Sequence, residues 1–268
     1  MKRLVLPPLI PFVMIIYLVA QRRSAFLSLG IALVVVVLFL YKNNRQAFWS
    51  ITIPGALFAI LYLGVFWNSQ STLALPAQAI KSVVATDTAS TEDQLSDIYR
   101  VAENMNVAYT IKQSPILGIG FGKPFAVVVP MPDISFIFES WQYYPHNSVA
   151  WIWYNAGAGG FYSMLLLFGL SLAMGARAII RLNDPDMKIA ALVGTTFLLM
   201  HFLFAYVDIS WDVQSLLYVG AMMGLIGSLE HIASQPVQIA QKRWNWQKDV
   251  ERVPDLVPFH PELEEAVV

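Results

Sequence analysis

The sequence predicts an all-α integral membrane protein with about six transmembrane helices and one large loop outside the lipid. Three observations predict it. The 268 residues are 57% hydrophobic and only 13% charged, about half the charged fraction usual for soluble domains. The apolar residues gather into runs near the roughly 20 residues that a helix needs to cross hydrocarbon. One long polar-containing stretch, 68–147, separates two sets of three such runs. The organisation is accordingly three N-terminal helices within 1–67, a loop with an amphipathic helix over 68–147, three C-terminal helices within 148–229, and a partly disordered cytoplasmic tail over 230–268. The net charge of −1 names no partner, and no nucleic-acid partner is expected. The absence of cysteine excludes disulfides and thiolate metal sites and leaves the compartment open.

The candidate spans are 4–20, 24–41, 48–67, 159–180, 187–207 and 213–229. The first opens on Met1-Lys2-Arg3 like a signal peptide, yet no small-residue cleavage site follows and Arg22-Arg23 ends it, so it reads as an uncleaved helix. Its Pro7, Pro8 and Pro11 predict a kink or partial insertion. The apolar stretch 146–157 predicts a short helix leading into the fourth span. Positive charge near Lys2, Lys42, Arg177 and Lys242 places those ends in the cytoplasm. The acidic hairpin 208–212 faces outward, and stretch 68–145 lies on the outer face with it. Arg22 and Arg23 violate this pattern. Either the first span does not cross, or the assignment is wrong by one helix, or an outward arginine is kept because it binds an anion.

Within the loop, 68–90 reads as a loose connection rich in Ser, Thr, Ala and Gln. Thr91 and Gln94 signal a helix start. Leu95, Ile98, Ala102, Met105 and Ile111 then give a helix with an apolar face suited to the membrane-embedded part. Pro115 predicts its end near Gln113. Arg100 lies within i,i+3 of Asp97 and Glu103, where a surface salt bridge worth little is the plain alternative to a functional role. The turn Gly118-Ile119-Gly120-Phe121-Gly122 is a weak phosphate-loop signal. It lacks a βαβ setting and a Lys-Ser/Thr ending, and a tight turn explains it, with Lys123 adding positive charge. Stretch 127–138 reads as an extended interfacial piece. Trp141, Tyr143, Tyr144, Trp151, Trp153 and Tyr154 suit either membrane anchoring or stacking on sugar rings. His146-Asn147 opens the next helix, where the histidine serves either as a structural or capping residue or as a proton acceptor. Gly157-Ala158-Gly159-Gly160 offers a small-residue surface for helix packing. In the tail, Trp244 and Trp246 among basic residues suggest inner headgroup contact.

Taken in order, Arg23-Ser24-Ala25 opening an apolar helix, Arg100, the Pro115–Gly122 turn, His146-Asn147 and Asn155–Gly159 resemble the O-antigen ligase and O-antigen polymerase superfamily of bacterial membrane glycosyltransferases. The resemblance covers roughly 18–168. It implies a GT-C-like fold, a periplasmic location for the large loop and residence in the inner membrane. It also implies transfer of a glycan from an undecaprenyl-pyrophosphate-linked donor to a hydroxyl of a lipid A core, a growing glycan or a protein. No cofactor and no metal are implied. Carried over by position, His146, Arg100 and Arg23 are the catalytic candidates. Arg22, Lys123, Gly118, Gly120, Gly122 and Asn147 are the candidates for binding substrate. The two arginines would stabilise the pyrophosphate leaving group, and His146 would take the acceptor's proton or orient phosphate. Inversion at the anomeric carbon is the expected outcome.

The chain departs from the family pattern in several places. Arg22 replaces a serine, Ser24 a glycine, and Asn104 stands where tryptophan is common. The family also carries about twice as many spans. The chain thus corresponds to a C-terminal half, either truncated or dependent on a partner that supplies the missing helices. The rival reading is a degenerate, non-catalytic membrane component of polysaccharide assembly. A transporter is a third, but His201 alone stands as an ionisable group within a span, and a packed histidine accounts for it.

Overall fold

The computed structural model describes residues 15–16, 23–69, 71–84, 91–210 and 212–234. Among these it is all-helical, with seven α-helices and one 3-10 turn. The helices are α1 (Arg23–Asn43), α2 (Arg45–Phe66), α3 (Leu75–Val84), α4 (Thr91–Gln113), α5 (Ser148–Arg181), α6 (Pro185–Val207) and α7 (Val213–Ser234). Five stretches are long and apolar enough to cross a membrane: Ser24–Asn43, Arg45–Phe66, Ser148–Arg181, Pro185–Val207 and Gln214–Ser234. The expected span at 4–20 and the tail beyond Ser234 lie outside the described residues, apart from Ile15 and Ile16, which are helical.

The bundle is built on α5, α6 and α7, with α1 against α6 and α2 against α1. Val149, Met164, Phe168, Leu198, Ala205, Val219 and Ile226 form its core. Close approach is set by Gly175, where an added Cβ would collide with Thr195, and by Gly194 against Ile226. The expected small-residue surface at 157–160 does not do this. Gly159 faces open space, and Gly157 breaks the helix.

That break reshapes α5. Gly157 has φ 67° and ψ −169°, a conformation essentially confined to glycine. Further along, α5 and α6 run antiparallel in regular step, Gly175 meeting Thr195 and Phe168 meeting Phe202. Extended straight, α5 would carry Ser148 about 14 residues, or ~20 Å, beyond the end of α6. Instead the Ser148 hydroxyl donates to the Asp208 carbonyl (2.9 Å) and accepts from the Ser210 amide (3.0 Å). The first turns of α5 therefore fold back across the end of the bundle, consistent with a separate helix before the fourth span.

Stretch 68–90 corrects the expectation of a loose connection. It contains the 3-10 turn Thr72–Ala74 and the helix α3. Alanine is the best helix former, and Ala74, Ala77 and Ala79 are small enough to be buried where α3 meets α1 and α2. The end of α4 at Gln113 agrees with the proline signal.

The buried face of α4 is not its apolar one. Leu95, Ile98 and Met105 are exposed, while Glu103, Asn106, Val107 and Thr110 are buried. The polar members are buried because they hold the loop. Asn106 donates to the Val129 carbonyl (2.9 Å) and accepts from the amides of Val128 (2.8 Å) and Val129 (2.7 Å). Thr110 accepts from the Ala126 amide at 3.0 Å. Stretch 123–134 thus lies without regular secondary structure along α4, its backbone satisfied by side chains in place of a neighbouring strand. Trp141 and Tyr154, expected in an interfacial aromatic belt, are buried with Val107 and Phe125 beneath it.

Candidate functional site

A cavity of about 400 Å³ opens where three elements meet. Helix α4 contributes Arg100, Asn104, Val107, Ala108 and Ile111, the start of α5 contributes His146, Asn147 and Ala150, and the end of α6 contributes Tyr206 and Val207. The lining combines apolar side chains with a guanidinium, an imidazole and two carboxamides. Such a lining suits an amphiphilic ligand with an anionic group.

His146 is fixed from several sides. Its backbone amide donates to Glu103 Oε2 at 2.8 Å, and its Nδ1 lies 3.0 and 3.2 Å from the two carboxylate oxygens. Tyr99 meets the imidazole edge-on, with ring centroids 5.9 Å apart. Asn147 caps α5 by accepting from the Ala150 amide at 2.9 Å, and Ser148 ties the same segment to the α6–α7 turn. Burial, and secondarily the charges of Glu103 and Asp133, push the Tyr99 phenol up to about 12. Tyr99 therefore stays neutral across physiological pH.

Arg100 lines the same cavity, and its Nε is buried with no hydrogen-bond partner. The surface salt bridge to Glu103 does not form, because that carboxylate is committed to His146. A buried guanidinium nitrogen without an acceptor is costly in isolation, and is accounted for if an anionic ligand occupies the cavity.

The glycine-rich turn has a different task. The Ile119 amide donates to the Tyr154 carbonyl (2.7 Å) and the Gly120 amide to the Asn155 carbonyl (3.0 Å), while the Ala158 amide donates to the Pro115 carbonyl (2.9 Å). These are backbone groups that the break at Gly157 removes from the regular ladder of α5. The turn splints the broken helix, and both glycines are needed for the fit. A Cβ at Gly118 would collide with the Asn155 carbonyl, and one at Gly157 with the Ile116 carbonyl.

Of the residues singled out in the sequence, the cavity brings together Arg100, His146 and Asn147. Gly118 and Gly120 sit in the splint, and Gly122 and Lys123 follow it; none of the four is in the cavity lining. Arg23 opens α1 as expected, but its side chain, like the whole of Arg22, lies outside the described residues. Sequence reasoning missed Glu103 as a partner of His146, 43 residues away. It also missed Tyr99 and Tyr206. The available signal for Glu103 was its place on α4 one turn past Arg100, and local spacing turned that into a salt bridge.

Fold and cavity together define a polytopic helical membrane protein whose polar site is assembled from a loop helix and the ends of two spans. The family is shown by sequence: the O-antigen ligase model matches residues 9–165. The match covers more than half of the chain, which belongs to that bacterial membrane-protein family. It includes Arg23, Arg100 and His146 and ends within α5, so the Tyr206 wall lies beyond it. No curated protein and no solved structure matches the chain.

Proposed function

We propose that this protein is a glycosyltransferase that moves a glycan from undecaprenyl pyrophosphate to an acceptor hydroxyl, on a lipid A core or a growing glycan, at the periplasmic face of the inner membrane. The observation that carries the reading is the convergence of Arg100 and His146 on one cavity. Family membership is its context. The donor's pyrophosphate lies against Arg100, and Arg23 is proposed as the second guanidinium from its place in the motif order of the sequence. Arg100 stabilises the negative charge that develops on the leaving oxygen. The acceptor hydroxyl attacks the anomeric carbon as the bond from that carbon to the pyrophosphate oxygen breaks. The bonding pair leaves with undecaprenyl pyrophosphate, and the hydroxyl proton passes to His146 Nε2. A single displacement inverts the anomeric centre.

The apolar part of the lining, Val107, Ile111, Ala150 and Val207, suits the first isoprene units of the donor. The reaction draws on side-chain charge and a histidine base, and the reading requires no metal or cofactor. Alanine substitution at Arg23, Arg100 and His146, scored by surface glycan with expression matched, tests it. Loss of His146 is expected to lower transfer by about 10²–10⁴-fold, and loss of Arg100 by about 10²–10³-fold. Normal glycan from all three variants would overturn the reading.

A further inference from the structure

We propose that Glu103 is the positioning residue of this site, selecting the tautomer of His146 and aiming its Nε2 at the cavity. Glu103 is 1% exposed and does not line the cavity, whereas His146 does. Its carboxylate makes two kinds of contact with one residue, to the His146 amide and to Nδ1. An ionised carboxylate can only accept hydrogen bonds, so beside a neutral imidazole it places the proton on Nδ1. Nε2 then keeps its lone pair for a substrate proton. The bond from the backbone amide fixes the main chain that carries the ring, so ring and backbone are set by the same group. Tyr99, from the preceding turn of α4, meets the imidazole edge-on.

The pairing is built into the fold. Glu103 sits on α4, held against the loop by Asn106 and Thr110, and His146 sits at the start of α5, held by Asn147 and Ser148. A buried carboxylate kept only for stability would be served equally by a neutral amide that satisfies the same donors. A carboxylate can only accept and so admits one tautomer, whereas an amide, with one accepting oxygen and one donating NH2, admits both. A glutamine whose NH2 faces Nδ1 donates to it and drives the proton onto Nε2, which leaves the ring unable to accept a proton from substrate.

The geometry stands without the transferase reading, but its consequence for turnover rests on it, so the experiment has two separate readouts. Nitrogen NMR of the full chain in bilayers, with labelled histidine and His146 assigned by comparison with His146→Gln, reports the tautomer directly. The wild type is expected to show protonated Nδ1 and unprotonated Nε2 at a pH where the imidazole is neutral. Glu103→Gln is expected to lose that preference while keeping the wild-type melting temperature within a few degrees. If the Glu103→Gln variant fails to fold, the wild-type spectrum alone decides. Protonated Nε2 in the wild type overturns the proposal whatever the enzyme does. In the transfer assay, Glu103→Gln is expected to lower kcat about 10²–10⁴-fold with KM little changed, and Glu103→Asp to recover part of it. Wild-type kcat in a folded Glu103→Gln protein overturns the positioning role, while the tautomer result stands apart from whether the donor is the one proposed.

Discussion

At the scale of single residues, the site is an arrangement of charges around one imidazole. Arg100 offers a buried guanidinium nitrogen with no acceptor, and His146 is locked against Glu103. Replacing Arg100 by lysine keeps the charge but removes planar bidentate bonding, so transfer is expected to fall well below wild type while protein level and melting temperature hold. Measuring both on the same membranes checks this, and wild-type transfer from the lysine variant would show that a point charge suffices. His146 and Arg100 were legible in the sequence through motif order as candidates for one site, whereas Tyr99 and Tyr206 were not. Glu103 was visible only as a neighbour of Arg100 on the same helix. Its true partner lies across a loop, where no local spacing rule reaches.

At the scale of elements, the device that builds the site is the spliced helix. Gly118 and Gly157 interlock, and the turn supplies the hydrogen bonds that broken α5 cannot make. Alanine at either position is expected to cost about 1–3 kcal/mol from the left-handed backbone alone, and more from the collision. Because both substitutions disturb one contact, the double variant should cost less than their sum. Thermal unfolding of the three proteins in detergent measures this, and strictly additive losses would contradict the interlock. The glycines were legible as a turn, and the sequence also placed a short helix before the fourth span. What joins turn to helix is backbone to backbone, and side-chain identity carries no trace of that pairing. The same limit explains α4: the helix and its end were legible, but the face that packs carries Asn106 and Thr110, because a loop without a strand partner needs them as its hydrogen-bond partners.

At the scale of the whole molecule, composition and apolar run length were enough to predict a membrane-spanning helical protein. All five candidate spans coincide with expected runs within a few residues at most ends, and α5 adds its folded-back start. The charge bias predicts an orientation, and the lack of cysteine makes it directly measurable. A cysteine at Lys123 is expected to react with an impermeant maleimide from the periplasmic side, and one at Lys188 only after permeabilisation; the reverse pattern would invert the topology. Sequence alone could not show that helices far apart in the chain close one cavity, since Tyr206 and Arg100 are joined only by the fold-back of α5. The central claim is that this cavity carries out glycan transfer. It is tested most directly with the purified protein in liposomes, supplied with an undecaprenyl-pyrophosphate-linked glycan and an acceptor, by following release of undecaprenyl pyrophosphate together with product. The account predicts stoichiometric release and transfer by the wild type, including in the presence of a chelator, and a loss of about 10²-fold or more in His146→Ala. Equal rates from wild type and His146→Ala would contradict it.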